Sequence, residues 1–141
     1  MEKLNGKWQM VKVSNNYNDV LKEAKFTVEM VDKTEKNIVT YNYNPTENTM
    51  EISIEANGEE LCLINGKIGG ESFDGNMVDG RPAIRTMKYV DGKLILKEIS
   101  GEIEIVTEMF TAEEKLIMVV KVNGKEAVRE YTKVAQFLTA I

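Results

Sequence analysis

The chain has 141 residues, 43% of them hydrophobic and 29% charged, with a net charge of −5. That length can bury one proper core, so a single domain is expected over residues 1–141. Charges of both signs are interspersed, which argues against nucleic acid as a partner, and no apolar run approaches the ~20 residues of a membrane span.

With no histidine and one cysteine, the chain lacks the usual Ser-His and Cys-His nucleophile pairs and the ligands of a structural zinc site. No phosphate-loop signature appears either, so neither catalysis nor a cofactor is expected. The opening Met1-Glu2-Lys3-Leu4-Asn5-Gly6 has no apolar signal-like core. Cys62 has no internal disulfide partner, and Pro45 spoils the one near-sequon, Asn44-Pro45-Thr46. Together these predict a reducing, cytoplasmic setting.

Lys7 to Val13 reads as the first strand. Asn15 to Lys33 then breaks the β pattern. Asn15 or Asn16 can cap a helix, and Tyr17, Val20, Leu21 and Ala24 follow at i, i+3, i+4 and i+7, one helical stripe. A second short helix would carry Phe26 and Met30. Nine further strands follow: Asn37–Tyr43, Thr49–Ala56, Glu59–Ile64, Glu71–Asp74, Pro82–Val90, Lys93–Ile99, Glu102–Phe110, Lys115–Val122 and Lys125–Val134. Turn pairs punctuate them at Asn57-Gly58, Asn65-Gly66, Asp79-Gly80, Asp91-Gly92, Ser100-Gly101 and Asn123-Gly124. Short strands at this spacing predict an antiparallel meander or barrel, with the helices inserted after its first strand.

Alternation assigns faces. Glu102, Glu104 and Glu108 mark a solvent face, so Ile103, Ile105, Thr107 and Met109 point inward. Lys115 to Val122 is apolar on both sides, which leaves its orientation open. On the last strand Ala127, Arg129 and Tyr131 share one face. A guanidinium fork and a phenol at i and i+2 can together grip a carboxylate. The pair alone does not say whether that face looks at water or into a cavity.

Taken in order, Gly6-Lys7-Trp8, Ser14 to Lys22, Phe73-Asp74, Asp79-Gly80-Arg81, Asp91-Gly92-Lys93-Leu94, Lys115-Leu116-Ile117 and Arg129-Glu130-Tyr131-Thr132-Lys133 resemble the intracellular lipid-binding proteins. This is the fatty-acid-binding and cellular retinoid-binding family, and the resemblance covers about residues 5 to 134. It implies an all-β, calycin-type, ten-stranded antiparallel up-and-down barrel with a helix-turn-helix lid between strands 1 and 2. It further implies a water-filled cavity for one fatty acid or related lipid carboxylate, carried without catalysis by a monomer. Arg129 and Tyr131 match the family's head-group residues. The second arginine usual in the family is replaced by Thr107. The helix junction is shorter than the family's and lacks its glycines. Trp8 would close the barrel floor.

Extending the comparison, Ala83, Arg85, Met87 and Tyr89 face inward on the sixth strand, and Leu94, Leu96 and Glu98 on the seventh. Arg85 and Glu98 then pair with each other or with cavity water, or Arg85 takes the missing arginine's place against the ligand. Other wall candidates are Tyr17, Val20, Met30, Ile52, Phe73, Ile105, Met109, Leu116 and Met118. Lys22, Lys25 and Lys33 give the lid positive charge beside Asp19, Glu23 and Glu29, so any membrane contact through it would be transient. The competing reading is an extracellular lipocalin-type carrier, since Gly6-Lys7-Trp8 also fits that group's Gly-x-Trp opening.

Overall fold

Strands adjacent in sequence pair antiparallel, with one break after the fourth, and the last returns to the first. This computed structural model describes residues 1–27, 29–30 and 37–134. After a 3-10 turn at Glu2–Leu4 come β1 (Gly6–Val13), α1 (Tyr17–Glu23), β2 (Ile38–Asn44), β3 (Thr49–Ala56), β4 (Glu59–Lys67) and β5 (Phe73–Asn76). β6 (Pro82–Val90), β7 (Lys93–Ser100), β8 (Ile103–Ala112), β9 (Lys115–Val122) and β10 (Lys125–Lys133) complete the order. The strands stand as β4-β3-β2-β1-β10-β9-β8-β7-β6-β5, a meander rolled into a nearly closed barrel. Between β4 and β5 no ladder forms. One parallel bridge, Ile68 to Met87, crosses there, with Gly69 N–H donating to Met87 O at 2.7 Å.

Turn chemistry accounts for most of the meander. Asn57-Gly58, Asp91-Gly92 and Asn123-Gly124 each place two successive residues at positive φ, the signature of tight hairpin turns matched to strand twist. Asn65-Gly66 does otherwise. It lies inside β4, and a Cβ on Gly66 would collide with the Phe73 ring. Its glycine makes room for an aromatic, and β5 runs from Phe73 to Asn76 instead of starting at Glu71. The β8–β9 hairpin turns on Glu113 and Glu114, both at positive φ (51° and 64°), a conformation that neither side chain favours.

Period-two burial settles the faces. On β9 Leu116, Met118, Val120 and Val122 are buried, so these face inward. On β8 Ile105, Thr107 and Met109 are buried, as alternation requires. Ala83, Arg85 and Met87 are buried on β6, but Tyr89, two residues before the Asp91-Gly92 turn, is exposed. Trp8 lies in the core near the chain start, its indole N–H donating to Leu4 O at 2.8 Å.

α1 buries the expected stripe of Tyr17, Val20, Leu21 and Ala24. Asn16 is its N-cap residue but makes no side-chain cap; its amide donates to Glu126 O at 2.7 Å and ties the helix start to β10. The helix ends in a Schellman motif: Lys25 N–H reaches Lys22 O and Phe26 N–H reaches Leu21 O. Lys25 takes the left-handed conformation there (φ 65°), where glycine is usual. Phe26, expected on a second helix, belongs to this motif. Glu29 and Met30 have helical backbone; the rest of that expected helix, including Lys33, lies outside the described residues.

Candidate functional site

α1 and the inner face of the sheet enclose a cavity of about 100 Å³. That is narrow beside the ~300–1,000 Å³ usual for ligand pockets. Its walls are largely apolar, from β2, β3 and β4 (Val39, Ile52, Ile54, Ile64) round to β8 and β9 (Ile105, Val120, Val122). Three methionines, Met77, Met109 and Met118, also line it. Flexible thioethers can change rotamer at little cost, so this wall can widen around a guest. The polar side chains on the lining are few: Tyr17, Asn37, Glu98, Thr107 and Arg129, with Cys62 as a weak donor.

Arg129 is the cation of that group whose charge meets no opposite charge. Among the described residues no carboxylate pairs with it. Its Nη1 donates to the Tyr17 hydroxyl at 3.2 Å, its Nη2 lies 2.8 Å from Met118 Sδ, and its guanidinium carbon stands 5.2 Å from the Tyr17 ring centroid. Its Nε is buried and has no hydrogen-bond partner among the described residues. Burial works against the charge, but the surrounding phenols of Tyr131, Tyr17 and Tyr41 outweigh it and hold the group protonated. A buried donor without an acceptor carries a desolvation cost of about 1–3 kcal/mol. An incoming anion would remove that cost.

Tyr131 shares Arg129's face but lies deeper. Fully buried, it donates to Asn37 Oδ1 at 2.8 Å and does not line the cavity. Burial pushes its phenol up to about 12, so it stays a neutral donor. Tyr41, raised further by the same cause, points its hydroxyl at Met109 Sδ. Asn37, buried at the start of β2, is a polar wall residue that sequence reasoning passed over. It sits directly before β2, and nothing in periodicity separates a cap or turn asparagine from a buried one.

Of the other residues singled out, Tyr17, Thr107, Ile105 and Met118 line the cavity with Arg129. Phe73 lies over Gly66, away from the lining. Met30 is half-buried and also off the lining. Arg85 is held in a cage. Its Nε donates to Glu98 Oε2 at 2.8 Å, and its Nη2 to Asn76 O at 2.7 Å and toward Cys62 Sγ at 3.6 Å. Gly75 leaves the space that the guanidinium fills. Arg85 thus links β4, β5, β6 and β7 across the place where the ladder is interrupted.

The lid is fastened on both sides. Glu23 at the end of α1 accepts from Lys125 Nζ at 2.8 Å and Asn123 Nδ2 at 3.1 Å on the β9–β10 hairpin. Opposite, Arg81 donates to Ala24 O at 2.8 Å, pairs with Asp79 at 2.6 Å, and lies 5.0 Å over the Phe26 ring.

No family model matches the chain, and no curated protein matches it in sequence. Solved structures do match in shape. A Schistosoma mansoni fatty acid binding protein in complex with arachidonic acid superposes with a TM-score of 0.85 at 20% identity, over 96% of this chain and 98% of that one. Apo lipid binding protein 8 of Caenorhabditis elegans gives 0.83 at 18% identity, over 95% and 97%. The fluorescent protein UnaG gives 0.83 at 21% identity, over 94% and 98%. The chain has the fold of the fatty-acid-binding proteins. At such identities the likeness concerns the fold, and UnaG's place in the set is a reminder that the barrel serves more than one task.

Proposed function

We propose that this protein is a non-enzymatic carrier that binds one long-chain fatty acid, or a similar hydrophobic carboxylate, inside the barrel, in keeping with the intracellular lipid-binding proteins. The observation that carries the reading is Arg129: a guanidinium on the wall of an apolar cavity, with no carboxylate partner and an unsatisfied Nε among the described residues. A ligand with an anionic head and an apolar tail meets both features. The head would gain a charge-assisted contact of about 1.5–3 kcal/mol, supported by Tyr17 and Thr107. The tail would contribute ~0.8 kcal/mol per buried methylene along Ile105, Met118 and their neighbours. Tyr131 would act through Asn37, holding the wall beside the head group.

The alternative of an extracellular lipocalin-type carrier has less in its favour, because the solved structures this barrel matches include fatty-acid- and lipid-binding proteins. Competitive displacement of a fluorescent lipid probe tests the proposal. A long-chain fatty acid should displace the probe at one equivalent per chain, and about tenfold more tightly than the alcohol of equal length. No displacement by any lipid acid would overturn it.

A further inference from the structure

We infer that the cavity has a second polar end at Glu98, and that its preferred ligand is a lipid acid bearing a hydroxyl near the tail, gripped as an anion by Arg129 and as a hydrogen-bond donor by Glu98. The inference rests on the carrier reading and narrows the ligand class.

Glu98 and Arg129 line the same cavity from β7 and β10, with β8 and β9 between them. Arg129 pairs in register with Met118, Met118 with Met109, and Met109 with Leu94. Leu94 therefore marks Arg129's level on β7, and Glu98 stands four residues further along that strand. At ~3.3 Å per residue this is roughly 13 Å along the strand, and three strand spacings add roughly 14 Å around the sheet. The wall between is apolar or thioether, apart from Thr107.

Glu98 is an acceptor already held in position. Its Oε2 receives Arg85 Nε at 2.8 Å, and Arg85 is itself fixed by Asn76 O. Its Oε1 receives no hydrogen bond from the described residues. Because Arg85 neutralises the pair, this end does not repel a lipid acid's tail through net charge. It offers an oriented lone pair instead, and a bare methyl terminus would leave that lone pair unused. A carboxylate rewards a donor and penalises its absence. An ion pair that served only to staple β4 to β5 would affect stability and leave ligand choice untouched.

Isothermal titration of the wild-type protein with hexadecanoic acid and its terminally hydroxylated analogue tests this. The hydroxy acid should bind about tenfold more tightly. In the double variant Arg85→Leu/Glu98→Leu the order should reverse. Should that variant fail to fold, Glu98→Gln keeps an acceptor for Arg85, and the preference should shrink to about twofold or less. Equal binding of the two acids to the wild type, or tighter binding of the plain acid, overturns the inference and leaves the carrier reading intact. Binding of neither acid overturns both.

Discussion

Arg129 and Tyr17 meet at the top of the barrel, the guanidinium of one lying over the ring of the other and donating to its hydroxyl at 3.2 Å. The contact joins the closing strand to the lid helix. It places Arg129, a cavity cation with no ionic partner among the described residues, beneath the helix that covers the cavity.

Tyr17→Phe keeps the ring and the cation–π contact while removing the acceptor for Nη1. Stability should change by less than about 1 kcal/mol, and affinity for a fatty acid should fall severalfold as the fork loses its orientation. Chemical denaturation and probe displacement measure the two effects separately.

The Glu113-Glu114 turn stores backbone strain at both positions. Replacing it with Asn-Gly, the pair already used at Asn57-Gly58 and Asn123-Gly124, should stabilise the fold by about 1–2 kcal/mol. Thermal unfolding should rise by several degrees with ligand binding unchanged.

Arg85→Leu alone would leave the Glu98 carboxylate half-buried without its cation. A loss of about 2–4 kcal/mol is expected, and adding Glu98→Leu should recover most of it. Urea unfolding of the single and double variants checks this cycle.

The lid latch has a defined pH window. Hydrogen bonds from Lys125 and Asn123, with the lysine's charge, hold the Glu23 carboxyl below its ordinary 4.5, and the Glu23 contact raises Lys125 above its ordinary 10.5. A lowered carboxylate stabilises above its unfolded pKa and stops doing so as pH falls through its folded value. A raised lysine stabilises below its unfolded pKa and stops as pH rises through its folded value. Amide protection in α1 should therefore hold from about pH 5 to about pH 10 and decline on either side. Glu23→Gln should weaken protection at neutral pH and remove the acid limb of that dependence.

Much of this arrangement was legible in the sequence, for reasons particular residues make plain. Asn-Gly and Asp-Gly pairs carry their turn type with them, and the acidic face of β8 fixes which way Thr107 points. The stripe from Tyr17 to Ala24 admits one helix face only. The Glu113-Glu114 turn was legible only as a gap between strands, since neither residue announces positive φ. Asn65-Gly66 misled because the same dipeptide can make a turn or clear space for a ring. Tyr89 keeps its register opposite Leu94 yet is exposed, since alternation says nothing of how close a residue lies to the end of the barrel. Arg85's cage depends on Asn76 O and Cys62, groups that meet only because the sheet curls back on itself. The partner of Tyr131, Asn37, is 94 residues away in sequence, a pairing that periodicity does not reveal.

The central claim is that Arg129 recognises an anionic head group. The direct measurement compares Arg129→Ala with the wild type, titrating each with a long-chain fatty acid and the corresponding fatty alcohol. Affinity for the acid should fall tenfold or more, with affinity for the alcohol barely changed. Equal losses for both ligands, or no loss for the acid, would contradict the account.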